Sequence, residues 1–270
     1  MSGTLQSKCI GFVGVGVMGQ AIIKSLLAKS TSADQICIID KVLEKAEDVS
    51  ANLKVSLKSI SEIGQKCEVI LLAVKPQDLA KVLSELKTTI KADSLVISIA
   101  AGKTIKFIEE NLGSNNPVIR AMPNTPALIG KGLSAIAAGT YADASHLEIA
   151  NEIFASTGLV IQIPEDKLDA VTALSGSGPA YFFNFIEAMV NAGVKLGLTR
   201  EIATTLAIET ISGSAAMLKE SGLDAATLRT NVTSPNGTTA AALQVFSENN
   251  FENIILQAMS AAEKRAQELA

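Results

Sequence analysis

Two stretches of this chain hold the residue types and spacings that bind anions through the backbone. The first is Cys9-Ile-Gly-Phe-Val-Gly14-Val-Gly16-Val17-Met18-Gly19, an apolar run that leads into GxGxxG and then into a helical pattern over Gln20–Ala28. In that arrangement Gly14 permits a tight turn, Gly16 lets the backbone approach a pyrophosphate, and Gly19 lets the helix pack on the strand. Exposed N–H groups and the helix dipole then hold the phosphates without a cation. Asp40 ends the second apolar run, 21 residues past Gly19, where an acid accepts hydrogen bonds from an adenosine ribose. Two readings of Asp40 stay open at this stage: ribose ligand, or a loop aspartate that caps its own turn. As ribose ligand it favours NAD over NADP, since a carboxylate beside a 2′-phosphate costs on the order of a few kcal/mol at an effective dielectric of ~20. Lys41 follows it and offsets part of that repulsion.

The second stretch is Asn231-Val-Thr-Ser234-Pro-Asn-Gly237-Thr238-Thr239-Ala240. It opens a helix with small and hydroxylic residues, so free N–H groups face whatever lies above them. It lies in the half of the chain poorest in cations: residues 165–270 carry 7 of the 23 basic groups and 12 of the 27 acidic ones. A carboxylate suits such a site; an ordinary N-cap turn is the plainer alternative.

Other catalytic chemistry is absent. His146 is the single histidine, beside Ser145 at a predicted helix start, so a His–carboxylate base and a Ser–His triad are both excluded. Ser175-Gly-Ser-Gly-Pro179 therefore reads as close helix packing, with contact to the active-site loop as the alternative, and Met122-Pro-Asn-Thr-Pro126 as a scaffold turn, with direct ligand contact as the alternative. Cys9, Cys37 and Cys67 have no metal-ligand spacing and read as small buried hydrophobes in a reducing compartment; no metal site is expected. Catalysis has to rest on positioning, with hydroxyls, backbone amides and a hydride acceptor already activated by positive charge.

The elements that must carry these loops follow from periodicity. Strands are expected over Cys9–Val13, Ile36–Ile39, Val69–Val74, Leu95–Ile99, Val118–Arg120, Leu133–Ala137 and Leu159–Ile163, alternating with helices. Capping boxes are read at Ser59/Glu62 and Ser145/Glu148, and helix C-caps at Gly113 and Gly158. After Pro164 only Ala-rich helices are expected: 167–174, 180–196, 200–220, 225–231, 238–248 and 252–269, with Thr199 and Asp224 as N-caps. The fold class is thus an α/β Rossmann-like N-terminal domain (residues 1–164) with a largely parallel sheet, then an all-α C-terminal dimerisation and substrate domain (165–270). The run Ile202–Met217 is apolar nearly all round, more than about a hundred residues can bury alone, which calls for a partner chain. A net charge of −4, no Trp and two Tyr in 270 residues argue against nucleic acid. No run reaches the ~20 apolar residues of a membrane span and no leader is evident, so a cytoplasmic location is expected.

Four blocks then resemble one family, the pyrroline-5-carboxylate reductases, over nearly the whole chain: GFVGVGVMG (11–19), LLAVKPQD (71–78), SIAAG with VIRAMPNTPALIGKG (98–102, 118–132), and LSGSGPAYFF with LRTNVTSPNGTTAAAL (174–183, 228–243). The resemblance implies an oxidoreductase of proline biosynthesis that passes a hydride from NADPH or NADH to the C=N carbon of 1-pyrroline-5-carboxylate. By the same resemblance Ser234, Gly237 and Thr238 hold the substrate carboxylate, and Thr239 is catalytic, hydrogen-bonding the ring nitrogen. Glu165 borders the substrate pocket. Gly14, Gly16, Val17, Met18, Gly19, Asp40, Ala73, Val74, Lys75, Pro76, Ile99, Ala100, Ala101 and Asn231 bind the cofactor. It also implies a homodimer with interwoven helical domains and a pocket at the dimer interface, or an assembly of such dimers. Two departures stand out: Asn236 replaces the first glycine of the usual SPGGTT, and Asp40 replaces the small hydroxyl or basic residues many members use there. The β-hydroxyacid dehydrogenases share the GxGxMG start, but the lysine they use is missing from Gly178–Asn184. A non-catalytic NAD(P) sensor is disfavoured by the second anion site.

Overall fold

A computed structural model describes Leu5, Ser7–Lys29 and Thr31–Leu269. Its strands are β1 (Ile10–Val13), β2 (Ile36–Ile39), β3 (Ser56–Leu57), β4 (Val69–Leu72), β5 (Leu95–Ser98), β6 (Val118–Pro123), β7 (Gly132–Ala138) and β8 (Gly158–Gln162). Between them run α1 (Val17–Lys29), α2 (Leu43–Leu53), α3 (Ile60–Lys66), α4 (Leu79–Leu86), α5 (Ile105–Leu112) and α6 (Ala144–Ala155). The rest is helical: α7 (Leu168–Val171), α8 (Gly178–Lys195), α9 (Arg200–Glu220), α10 (Ala225–Asn231), α11 (Thr238–Glu248) and α12 (Phe251–Glu268). None of the described helices is long and apolar enough to cross a membrane.

The strands form one sheet in the order β3-β2-β1-β4-β5-β6-β7-β8, parallel except for the β6–β7 pair. Alternation along each strand sorts its side chains into two cores. Ile10, Phe12, Val69 and Leu71 face one layer with Ile22, Leu26, Ile153 and Phe154 of α1 and α6. Val13, Ile70, Leu72 and Val96 face the other, with Ile63, Leu83 and Ile108 of α3, α4 and α5. Both faces are covered by helices, as a parallel sheet demands.

Packing divides the chain into two compact units: residues up to Ser177 together with those from Ala262 onward, and Gly178–Ala261. The sheet unit thus keeps α7 and the end of α12. A Cβ built on Gly102, whose φ is +77°, would meet Ala266 O at 2.8 Å, so the last turns of α12 close on the loop after β5. In the helical unit the buried apolar residues are Val190, Ala203 and Ala207, where α8 packs on α9. Its large apolar side chains are mostly in the open: Phe183 is 69% exposed, Leu256 63% and Leu206 53%.

Helix ends test the local reading. Ser59 accepts from Glu62 N while Glu62 accepts from Ser59 N at 2.9 Å, the expected capping box. Thr199 and Asp224 also cap as expected, accepting from Ile202 N and Thr227 N. The box read at Ser145/Glu148 is wrong by two residues. Asp143 is the N-cap, accepting from Ser145 N and His146 N, and His146 Nδ1 accepts from Asp143 N at 3.2 Å. A carboxylate outcompetes a hydroxyl for those N–H groups, and the imidazole stands in for the usual Glu. Gly113 is the left-handed C-cap of α5 (φ 62°). Gly158 is not a cap: α6 ends at Ala155 and Gly158 opens β8, where a Cβ would collide with the Gly132 backbone.

The sheet also gathers the three cysteines at its N-terminal edge. Cys9 precedes β1, Cys37 lies in β2, and Cys67 precedes β4. Cys37 and Cys67 are buried and Cys9 half-buried, as small hydrophobes would be. Their convergence was invisible in spacings of 28 and 30 residues.

The Ser59 cap makes a pH prediction. Backbone and side-chain hydrogen bonds from Ser59, then Lys58, lower the Glu62 carboxyl to about 2. Its contribution to stability is therefore complete above its unfolded pKa of about 4.3 and lost as pH falls towards 2. An NMR titration of Ser59→Ala should find the Glu62 carboxyl moved up part of the way towards the ordinary range, because the hydroxyl donor is lost while the backbone N–H of residue 59 and Lys58 still hold it down, with the acid limb of the stability curve correspondingly shallower.

Candidate functional site

The strand order reverses between β1 and β4, and ligands of such sheets bind in the crevice outside the C-terminal strand ends at that point. Register fixes what stands there. Val13 is level with both Ile39 and Leu72, and Leu72 with Ser98. Gly14, Asp40, Ala73 and Ile99, each the first or second residue past its strand, therefore form one row. The backbone ladder continues through them: Gly14 N donates to Ile39 O at 2.8 Å, Ala73 N to Val13 O at 2.8 Å, and Ile99 N to Leu72 O at 3.1 Å.

The three fingerprint glycines meet three different demands. Gly14 has φ +99°, and a Cβ there would lie 2.5 Å from Ala73 O. A Cβ on Gly19 would lie 2.6 Å from Gly14 O, so the first turn of α1 rests on the strand end. A Cβ on Gly16 meets nothing within 4 Å. The space above it is open, and in a Rossmann fingerprint this is the position at which the backbone lets a pyrophosphate approach. Gln20 N donates to Gly16 O, which leaves the N–H groups of Val17, Met18 and Gly19 without an acceptor within the helix. Val17 is exposed and Met18 half-buried. Ala73–Pro76 and Ile99–Ala101 follow β4 and β5 along the same row, with Lys75 exposed and Ala100 buried.

Asp40 caps its own turn, one of its two readings, and also braces the glycine loop. Its Oδ1 accepts from Val42 N at 3.0 Å, capping its own turn, while its Oδ2 accepts from Val15 N at 2.8 Å inside the glycine loop. Lys41 turns away to pair with Asp78 at 2.7 Å.

In the helical unit, Ser234–Thr239 link α10 to α11. Gly237 N donates to Ser234 O at 3.0 Å, and Asn236 takes φ 58°, the left-handed conformation that asparagine tolerates better than other side chains. Gly237 is the N-cap of α11 and offers no side chain; Ala241 N is the first to reach back, to Gly237 O. The N–H groups of Thr238, Thr239 and Ala240 therefore point out of the helix without intrahelical acceptors. Ser234 and Thr238 are exposed and Thr239 half-buried; Asn231, exposed, ends α10.

Two features were not legible in the sequence. Arg120 is 5% exposed in β6, and its guanidinium donates to Glu165 Oε1 at 3.3 Å and to Asp169 Oδ1 at 2.9 Å. Glu165 Oε1 also accepts from Ile105 N at 2.6 Å, at the start of α5. The one available signal was a lone charge inside the apolar run Val118-Ile-Arg-Ala-Met. The second feature joins two motifs: Asn124 donates to Ser175 Oγ at 3.0 Å and accepts from Leu133 N at 2.9 Å. Ser175 lies in a π-helical turn (Thr172–Gly176), and a Cβ on Gly176 would lie 2.5 Å from Met122 Cε. Both motifs thus pack against each other as scaffold.

Comparison with known proteins agrees with this division of labour. Residues 165–269 match the family described as pyrroline-5-carboxylate reductase dimerisation, and residues 9–102 one described as NADP oxidoreductase, coenzyme F420-dependent. A pyrroline-5-carboxylate reductase of Pseudomonas aeruginosa is 40% identical over 97% of this chain and 96% of its own. Among solved structures, a pyrroline-5-carboxylate reductase from Coxiella burnetii has a TM-score of 0.90 at 36% identity, covering 98% of this chain and 99% of its own. The Plasmodium falciparum pyrroline carboxylate reductase, crystallised with NADP bound, has a TM-score of 0.89 at 33% identity and covers 98% of each chain.

Two substitutions separate the roles seen here. Gly16→Val should leave thermal stability nearly unchanged but weaken dinucleotide binding at least about tenfold, or 1.4 kcal/mol, in a fluorescence titration. Arg120→Met leaves Glu165 and Asp169 without their cation and should cost about 3–5 kcal/mol of stability by urea unfolding.

Proposed function

The chain belongs to the pyrroline-5-carboxylate reductase family, and we propose that it reduces 1-pyrroline-5-carboxylate to L-proline with a nicotinamide dinucleotide as reductant. The observation that carries this reading is the pairing of a dinucleotide cradle, open at Gly16, with a helix N-terminus at Ser234–Thr239 whose own side chains supply no cation, in a chain whose one histidine, His146, caps a helix. Reduced nicotinamide supplies the hydride when bound. Every remaining demand is one of placement.

A cyclic imine protonated on nitrogen carries its own electrophilicity. Hydride addition to its carbon gives the secondary amine directly, and no proton has to be abstracted. The chain's residues then have three tasks. Ser234, Gly237 and Thr238 hold the substrate carboxylate, with hydroxyls and main-chain N–H groups in place of a cation. Thr239 hydrogen-bonds the ring nitrogen, fixing which face of the imine is presented and keeping the proton on nitrogen. Gly14, Gly16, Val17, Met18 and Gly19 seat the pyrophosphate, while Ala73–Pro76, Ile99–Ala101 and Asn231 shape the remainder of the cofactor site. Glu165 borders the substrate pocket as a carboxylate already committed to Arg120 and Ile105 N, a fixed wall rather than a proton carrier.

NADH is the preferred reductant in this reading. Asp40 presents a carboxylate where a 2′-phosphate would lie, and Lys41 is engaged by Asp78 rather than free to neutralise it. The helical region from residue 165 serves as dimerisation and substrate domain. Its exposed Phe182, Phe183, Leu206 and Leu256 need a second copy to leave water, so the working enzyme is a homodimer or an assembly of dimers.

Cofactor oxidation with 1-pyrroline-5-carboxylate tests the reading directly. Turnover of a hydroxyacid instead, or cofactor binding without turnover, would reject it. Thr239→Ala should lower kcat/KM by one to three decades, at about 1.4 kcal/mol each, with dinucleotide affinity intact. The kcat/KM for NADH should exceed that for NADPH, and Asp40→Ser should move the ratio towards NADPH by at least about tenfold. An unchanged ratio would remove Asp40 from cofactor choice.

A further inference from the structure

At the N-terminal edge of the sheet, remote from the row of strand ends that holds the glycine loop, three thiols converge. Cys9 Sγ lies 3.2 Å from Cys67 Sγ and 3.7 Å from Cys37 Sγ, and all three sulfurs fall within 4.8 Å of one another. The placement follows from the sheet. Cys37 is in register with Gly11, so Cys37 and Cys9, two residues before Gly11, point to the same face. Gly11 beside them has no side chain, and a Cβ there would collide with Ile63 Cγ2 and lie 3.1 Å from Cys67 Sγ, so its absence admits α3 and the residue that ends it. The glycine thus leaves room for the third sulfur, brought in by the C-cap of α3.

We propose that Cys9, Cys37 and Cys67 form a three-thiolate site for a soft, thiophilic metal ion of the Cu(I) class. An ion about 2.3 Å from each of three sulfurs in a plane holds those sulfurs about 4 Å apart, and pairs at 3.2 and 3.7 Å need to open by less than an ångström to reach it. Thiolates select soft ions such as Cu(I). No His or carboxylate joins the group among the described residues, so the fourth ligand that a closed structural zinc site requires is missing. Lys66 and Lys58 are close enough for their charge to favour an anionic sulfur at Cys37. Cys9 is half-buried where Cys37 and Cys67 are buried, so it gives the ion its way in. On binding, three S–H groups lose their protons to solvent and three metal–sulfur bonds form, with no change in oxidation state.

The site ties the start of β1 to β2 and to the entrance of β4, at the far end of β1 from Gly14. Metal binding there stabilises the sheet without entering the hydride transfer.

The test is Cu(I) supplied anaerobically to the purified full chain, in competition with a chromophoric Cu(I) chelator. One Cu(I) should bind per chain with proton release, and X-ray absorption should show three Cu–S bonds. Cys9→Ser, at the half-exposed ligand, should weaken binding at least about 100-fold while cofactor oxidation with 1-pyrroline-5-carboxylate is unchanged. Cys67→Ala, checked for folding by near-UV circular dichroism, should do the same. Equal Cu(I) binding by the wild type and Cys9→Ser, fewer than three sulfur ligands, or tight binding of Zn(II) in place of Cu(I) would overturn the proposal.

Discussion

The parallel register of β1 with β2 and β4 is the constraint on which the rest depends. It brings three strand ends to one level and puts Gly14 between the ends of β2 and β4. With Ala73 O so close to Gly14, no side chain fits there, and with Gly14 O so close to Gly19, none fits at the first turn of α1. The loop that results leads straight into the first turn of α1, where the N–H groups of Val17, Met18 and Gly19 have no acceptor within the helix. Asp40 reinforces it from the neighbouring strand by accepting from Val15 N, so the residue proposed to face the ribose also holds the glycine loop in place. The two anion sites share one strategy, a helix N-terminus entered through small residues, and differ in what surrounds them.

That strategy suits the chemistry. A reaction whose electrophile arrives already charged asks for orientation, and main-chain amides orient without the reorganisation a flexible cation would require. In the proposed reading the helical unit, poor in Lys and Arg, holds a carboxylate this way at Ser234, Gly237 and Thr238. The charged network of Arg120 with Glu165 and Asp169 belongs to the scaffold. It joins β6, the start of α5 and α7 through one buried guanidinium.

Much of this was legible in the sequence because the signals were local. Apolar alternation located the seven longer strands, and the N-caps at Ser59, Thr199 and Asp224 fixed helix starts. The two-residue β3 was too short to leave a pattern. Asp143 displaced Ser145 because a carboxylate is the stronger acceptor, a competition that motif spacing does not rank. Gly158 looked like a cap when its real role was to let β8 approach Gly132. The remaining misses were long-range: Asn124 reaching Ser175, Arg120 reaching Asp169, and three cysteines drawn together by strand register. Each depends on which elements become neighbours in the sheet, and no spacing along the chain encodes that.

The central claim, that electrophilicity belongs to the substrate and placement to the protein, is tested most directly by the pH dependence of kcat/KM. That quantity reports the ionisations of free enzyme and free substrate. The account predicts a single alkaline limb whose midpoint coincides with the imine pKa measured by NMR on 1-pyrroline-5-carboxylate alone. It predicts the same midpoint in Thr239→Ala despite the lower rate. A limb set at a different pH, and shifted by substitution of a carboxylate or lysine of the protein, would contradict it.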